Sequence, residues 1–114
     1  MIIVAALTLT TTIGCKKTAT TTYDCTSVTP TYATDIKPIM DVSCASAGCH
    51  SASAKAQGID LSSYAAVKLE SSNKAFMGSM QHSRGYSSMP KNASKLTDAS
   101  LQKIYCWIQN STPQ

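Results

Sequence analysis

Five cysteines, at positions 15, 25, 44, 49 and 106, are spread over a chain of only 114 residues. A domain of this size buries little apolar surface, and disulfides, metals or a bound cofactor commonly supply the missing stability. What the cysteines do therefore constrains the fold more than any other feature. The rest of the composition is that of a folded chain, 43% hydrophobic and 14% charged. Aromatic residues, at 6%, add few large rings to a core. The formal net charge of +4 is mild, and no Lys/Arg stripe with interleaved aromatics is present, so nucleic-acid binding is not supported.

The chain begins MIIVAALTLTTTIGC, an apolar stretch from Met1 to Ile13 followed by Gly14 and Cys15. Thirteen residues are too few to span a bilayer and match the hydrophobic region of an export signal. Thr12-Ile13-Gly14-Cys15 resembles a bacterial lipobox, with Thr12 where Leu is usual; the lipobox cysteine is lipidated and becomes the mature N-terminus. The expectation is a lipoprotein-type signal peptide over 1–14 and a lipidated tether over 15–30, where Lys16-Lys17 precede a Thr-rich run. The other reading is an ordinary secretory signal with a stray cysteine. Either way the remaining cysteines meet an oxidising compartment.

A folded domain is expected from residue 31 to 112. Thr34 is suited to cap a helix with Asp35 in its first turn, Pro38 is tolerable early in it, and Ile36, Ile39 and Met40 share one face. LSSYAAVKLESS and KAFMGSMQH read as short helices, and RGYSSMPKNAS as a loop. The last helix is the clearest. Thr97 caps it, Leu96 and Leu101 occupy the two positions of a hydrophobic staple, and Leu101, Ile104, Tyr105 and Ile108 form one apolar stripe. No strand-like alternation occurs, so the expected class is all-α.

Residues 44–50 read CASAGCH, two thiols with an imidazole directly after the second. The haem-attachment motif C-x-x-C-H has the same order with two intervening residues. Residues three apart on a helix sit about 60° from one another and residues five apart about 140°, so a regular helix cannot aim Cys44 and Cys49 at one porphyrin edge. The chain between must bulge. Ala45, Ser46, Ala47 and Gly48 are small enough to allow it, and Gly48 opens backbone angles closed to other residues. Chance is a weak competitor: with five Cys and two His, an accidental C-x4-C-H has a probability on the order of 0.003. A Cys44–Cys49 disulfide accounts for the thiols and not for His50. Zinc wants four convergent ligands, and the adjacent Cys49 and His50 do not readily bind one ion.

GYSSMPK supplies a second ligand candidate. His/Met-ligated haem iron has a raised potential suited to electron transfer, and Met89 sits in a loop where packing gives it no reason to be. Met77, Met80 and His82 are its rivals; the first two read as core residues of a helix, the third as a surface residue.

The order IKPIM, CASAGCH, GYSSMP, LQKIYCWIQ resembles a class I c-type cytochrome domain over about residues 31 to 112. It is closest to the single-haem domains of bacterial lipoproteins, including those of the Bacteroidetes type. The resemblance implies a small all-α cytochrome c-like fold whose N- and C-terminal helices cross, with Tyr105 or Trp107 packed near the crossing. It implies one covalent haem c on Cys44 and Cys49, His50 as the proximal and Met89 as the distal iron ligand. Class I domains often orient the proximal imidazole through a proline carbonyl downstream of the motif. No Pro lies between His50 and Met89, so another backbone carbonyl is expected to take the imidazole N–H. With Cys15 lipidated and Cys44 and Cys49 on haem, Cys25 and Cys106 remain, and a disulfide between them is expected to pin the tether to the last helix.

Such a chain would carry electrons between periplasmic or membrane redox partners and would not be an enzyme. Surface Lys and Arg would steer acidic partners, with Arg84 able to pair a propionate. A peroxidase-like activity would need an open distal site, for which His82 is the one spare histidine. The alternative is an exported lipoprotein without haem, stapled by two disulfides and acting as a binding or structural module.

Overall fold

The computed structural model describes Gly14 and residues 17–114. The apolar start and Cys15, with its expected lipid, lie outside the described residues. The described part is all-α. A π-helical turn, Tyr32–Ile36, runs straight into α1 (Lys37–Ser43); α2 (Tyr64–Ser71), α3 (Lys74–Met80) and α4 (Asp98–Gln109) follow, with a 3-10 turn at Ala56–Gly58. Among the described residues there is no strand, and no helix long and apolar enough to cross a membrane.

The N-terminal helix begins three residues earlier than the Thr34 cap predicts. Its cap is Thr31, whose hydroxyl accepts from Thr34 N–H, while Asp35 Oδ2 accepts from Thr31 N–H at 3.1 Å. This is a capping box with the returning carboxylate one residue late, because the opening turn is a π-turn. Pro38 has no N–H to donate and its ring conflicts with the carbonyl four residues back; a wider turn upstream relieves both. Ile36 and Met40 are fully buried and Ile39 packs beside them, as their spacing predicts.

In α4, Thr97 caps by accepting from Ser100 N–H, and Leu96 and Leu101 both join the core. The buried stripe is Leu101, Ile104 and Trp107, with Cys106 beside it. Trp107 takes the position expected of Tyr105 and Ile108, which are half-buried. Its indole N–H donates to Pro113 O at 2.8 Å, so the ring is buried without an orphaned donor. Losing such a side chain costs about 3–5 kcal/mol.

The N-terminal helix and α4 meet through the π-turn. Tyr32 lies 6.1 Å from Trp107 and 5.3 Å from Tyr64 between ring centres. The C-terminal tail closes over this junction: Tyr32 N–H donates to Pro113 O and the Tyr64 hydroxyl to Thr112 O. Tyr105 packs elsewhere, 5.7 Å from Tyr23.

The part of the tether within the described residues is fastened along the domain. Thr18 N–H donates to Arg84 O; Thr21 exchanges two hydrogen bonds with the buried Gln81 side chain, at 2.9 and 2.7 Å. Gln102 and Asn110 of α4 donate to Asp24 O and Val28 O. Cys25 is disulfide-bonded to Cys106 with Cα atoms 5.4 Å apart. The boundary at residue 31 thus separates irregular chain from helix, and the irregular chain is a strap on the domain.

Candidate functional site

CASAGCH begins where α1 stops. Cys44 is the helix C-cap, its N–H still bonded to Met40 O, and Ala45 N–H also reaches Met40 O. The four intervening residues form a tight loop in which Cys49 N–H donates to Ser46 O and His50 N–H reaches back to Cys44 O at 3.1 Å. Gly48 sits at φ +80°, a left-handed conformation that L side chains rarely adopt. The bulge anticipated from the small residues is therefore built, and it returns His50 to the backbone of Cys44.

The two thiols differ. Cys44 is buried in the core, and Cys49 is exposed; neither is in a disulfide. Burial pushes the Cys44 thiol up to about 11, with the nearby Cys49 thiol adding to the effect. At neutral pH Cys44 is a protonated thiol, which suits neither a zinc thiolate nor a nucleophile.

His50 is held on three sides. Its N–H and C=O bond to Cys44 O and to Leu61 N–H, and its Nδ1 lies 3.2 Å from Ile59 O. A carbonyl accepts and cannot donate, so Nδ1 carries the proton and Nε2 keeps its lone pair. This is the orienting contact metal-ligating imidazoles commonly have, supplied by Ile59 in place of a proline. The loop that delivers Ile59 is unusual: Lys55 and Gln57 both have left-handed angles, φ +41° and +57°.

Met89 is half-buried in the loop after α3, and both its backbone groups are tied down. Its N–H donates to Ser79 O at 3.0 Å, and its carbonyl accepts from His82 Nε2 at 3.1 Å. Gln57, Ser87, Ser88, Met89, Lys91 and Asn92 line a cavity of about 490 Å³. Gln57, in the loop that leads to Ile59, thus borders the same space as Met89, whereas Cys44, Cys49 and His50 do not line it.

The rival ligands separate. Met80 is buried in the core and Met77 packs against it, as expected of helix residues. His82 is not the surface residue its polar context predicts. Its Nε2 is the hydrogen-bond donor to Met89, so that nitrogen has no lone pair for a metal. Arg84 is exposed, and its carbonyl holds the strap. Ile59, Gln81 and His82 are structural parts of the site that the sequence reading missed. Ile59 and Gln81 act on or through backbone, which leaves no residue-type signature. His82 had a signal in its seven-residue spacing from Met89, read as rivalry and not as support. Among the described residues no three His, Cys, Asp or Glu side chains converge on a metal position; a His/Met-ligated iron asks for no such cluster.

Compared with family models, with curated proteins and with solved structures, the chain matches none of them.

Proposed function

We propose that the chain is a single-haem c-type cytochrome lipoprotein, an electron carrier with a cytochrome c-like fold held at a membrane by lipid on Cys15. The observation that carries this reading is the His50 Nδ1–Ile59 O hydrogen bond, which fixes the imidazole with Nε2 free. The unpaired Cys44 and Cys49, the bulge at Gly48 and the backbone-tethered Met89 support it.

Two unpaired thiols, an oriented imidazole and a loop thioether are the donor types such a group takes. Cys44 and Cys49 would hold it by thioether bonds, His50 and Met89 would hold the iron, and Lys91 and Asn92 offer donors beside Met89. Bound haem supplies one-electron exchange at a potential raised by the Met ligand. The chain's own part is to hold His50 by Ile59 O and Met89 by Ser79 O and the His82 N–H, the two residues that would hold the iron. Its partners would be redox proteins. The haem-free stapled module loses one of its two staples, since only Cys25 and Cys106 are joined.

The test is expression of the full chain in a host that attaches c-type haem. Haem that stays on the denatured protein and a low-spin His/Met spectrum are expected. A colourless product would falsify the reading. Met89→Ala is expected to lower the reduction potential sharply; an unchanged potential would remove Met89 from the iron.

A further inference from the structure

The charges of this chain are sorted along its length. Segments 16–23 and 71–97 carry Lys16, Lys17, Lys74, Arg84, Lys91 and Lys95, six of the ten basic residues and none of the six acidic ones. The fold places residues 17–21 against the second segment. The Lys17 ammonium lies 4.9 Å over the Tyr86 ring, and Thr18 N–H bonds Arg84 O at 3.0 Å. Gly85 is what lets the strap come so close: a Cβ there would meet Lys17 Cγ at 2.7 Å and Lys17 Cα at 3.1 Å. Ala19 and Thr20 share a hollow of about 430 Å³ with Lys74 and Tyr86. Lys91 lines a second cavity with Ser87, Ser88 and Met89, which follow Tyr86 in the chain.

Among the described residues, Lys37, Lys95 and Lys103 are paired with Asp41, Asp98 and Asp35; of the six basic residues with no ion pair, Lys17, Lys74, Arg84 and Lys91 lie on these two segments, and Lys55 and Lys68 lie elsewhere. Glu70, the acid nearest Lys74 in sequence, lies on α2 and does not bridge to it. The uncompensated positive charge is thus concentrated on the face formed by the strap and the Met89 loop.

We infer that this face is a membrane-docking surface, and that its partner is an anionic lipid surface. The inference rests on Cys15 as the lipid anchor. Cys15 precedes Lys17 by two residues, at most about 7 Å of chain. Because Thr18 and Thr21 are already bonded to the domain, no slack remains between anchor and fold. The domain does not swing on a leash; the anchor draws the Lys17–Arg84–Tyr86 face down, and the basic side chains meet lipid phosphates. The lipid on Cys15 would supply the attachment, and the basic patch would set which face of the domain meets the headgroups. Each basic residue at an anionic surface strengthens binding by about fivefold. An acidic protein would recognise the same charges, and it is the competing outcome.

The experiment uses the full chain and its Cys15→Ser variant with vesicles of phosphatidylcholine alone or mixed with phosphatidylglycerol. Binding is read by co-sedimentation, and lysine acetylation is mapped by mass spectrometry. On anionic vesicles Lys17, Lys74 and Lys91 are expected to be protected at least threefold, with Lys37 and Lys103 unchanged. In the Cys15→Ser chain, combined Lys74→Gln, Arg84→Gln and Lys91→Gln substitutions are expected to weaken binding to anionic vesicles at least tenfold, and salt to do the same. Protection spread evenly over all lysines, equal binding of the Cys15→Ser chain to both vesicle types, or protection that needs an acidic protein overturns the proposal. Intact mass decides the anchor separately: acyl groups absent from Cys15 refute the lipoprotein reading, while the footprint of the Cys15→Ser chain still reports on the face.

Discussion

Lys103 on α4 reaches across the helix junction to Asp35 in the π-turn, Nζ to Oδ1 3.1 Å. The same carboxylate caps the turn through Thr31 N–H, so one side chain both starts the N-terminal helix and ties it to the C-terminal one. The Thr31 N–H and then the Lys103 ammonium hold the Asp35 carboxyl below its ordinary value. A carboxyl lowered in the folded state stabilises above its unfolded pKa, near pH 4, and that contribution disappears as pH falls through the lower folded value. Asp35→Asn is therefore expected to cost up to about 1 kcal/mol at pH 7, discounted for solvent exposure. The variant and the wild type should converge in urea unfolding midpoint below pH 3.

Tyr32 gives the opposite sign. Its ring is central to the junction, but its hydroxyl is buried with no partner among the described residues. A buried unpaired hydroxyl costs about 1–3 kcal/mol relative to a shape-matched apolar group. Tyr32→Phe keeps the contacts with Trp107 and Tyr64 and is expected to leave Tm unchanged or raise it. A Tm lower by several degrees would mean that the hydroxyl has a partner.

The Cys25–Cys106 disulfide closes a loop with a sequence separation of 81 residues. In the chain-entropy account such a loop adds about 4–5 kcal/mol. The double variant Cys25→Ala, Cys106→Ala is expected to lose most of that in urea unfolding, and reductant should lower the Tm of the wild type only. Since Cys106 is fully buried, the single variant Cys106→Ala also leaves Cys25 unpaired on the strap.

How far the sequence led can be judged residue by residue. Thr97, Leu96 and Leu101 mark the start of α4 because cap and staple are local chemistry written in side chains. Gly48 marks the bulge because only glycine is comfortable at φ +80°. The Thr31 cap was missed for Thr34 because a π-turn shifts the returning carboxylate by one residue. Trp107 displaced Tyr105 and Ile108 in the buried stripe because a tail carbonyl, from Pro113, satisfies its indole. The fastening of 17–30 is invisible because the Gln81 amide and the Arg84 carbonyl bind backbone groups of the strap, not its side chains. Tertiary partners of backbone atoms are what a residue pattern does not encode.

The two free thiols predict a reactivity difference in the haem-free chain. Cys49 is exposed, whereas Cys44 is buried with a thiol raised to about 11. The thiolate is the reacting form, and at pH 8 a thiol of that value is ionised to about one part in a thousand. Iodoacetamide is expected to label Cys49 within minutes and Cys44 only after unfolding. In protein matured with haem, neither cysteine should label even in denaturant, because both sulfurs would be thioethers. Labelling of both after maturation would show that the four-residue gap is not bridged.

The last prediction concerns His82, whose Nε2–H presents the carbonyl of Met89. With Met89 N–H bonded to Ser79 O, the residue is clamped between the end of α3 and the imidazole that follows it. Removing the imidazole releases one side of the clamp, and in haem-loaded protein it would leave Cys44, Cys49 and His50 untouched. His82→Ala is expected to keep haem content, weaken the methionine-to-iron charge-transfer band, and let added imidazole bind at least tenfold more tightly. His82→Gln, which still offers an N–H, should recover part of both. Amide exchange at Met89 gives a readout independent of haem, and it should speed up in the alanine variant. If instead the wild type lacks the methionine band and His82→Ala abolishes the low-spin spectrum, His82 is itself the distal ligand and the hydrogen bond to Met89 does not persist in the holoprotein.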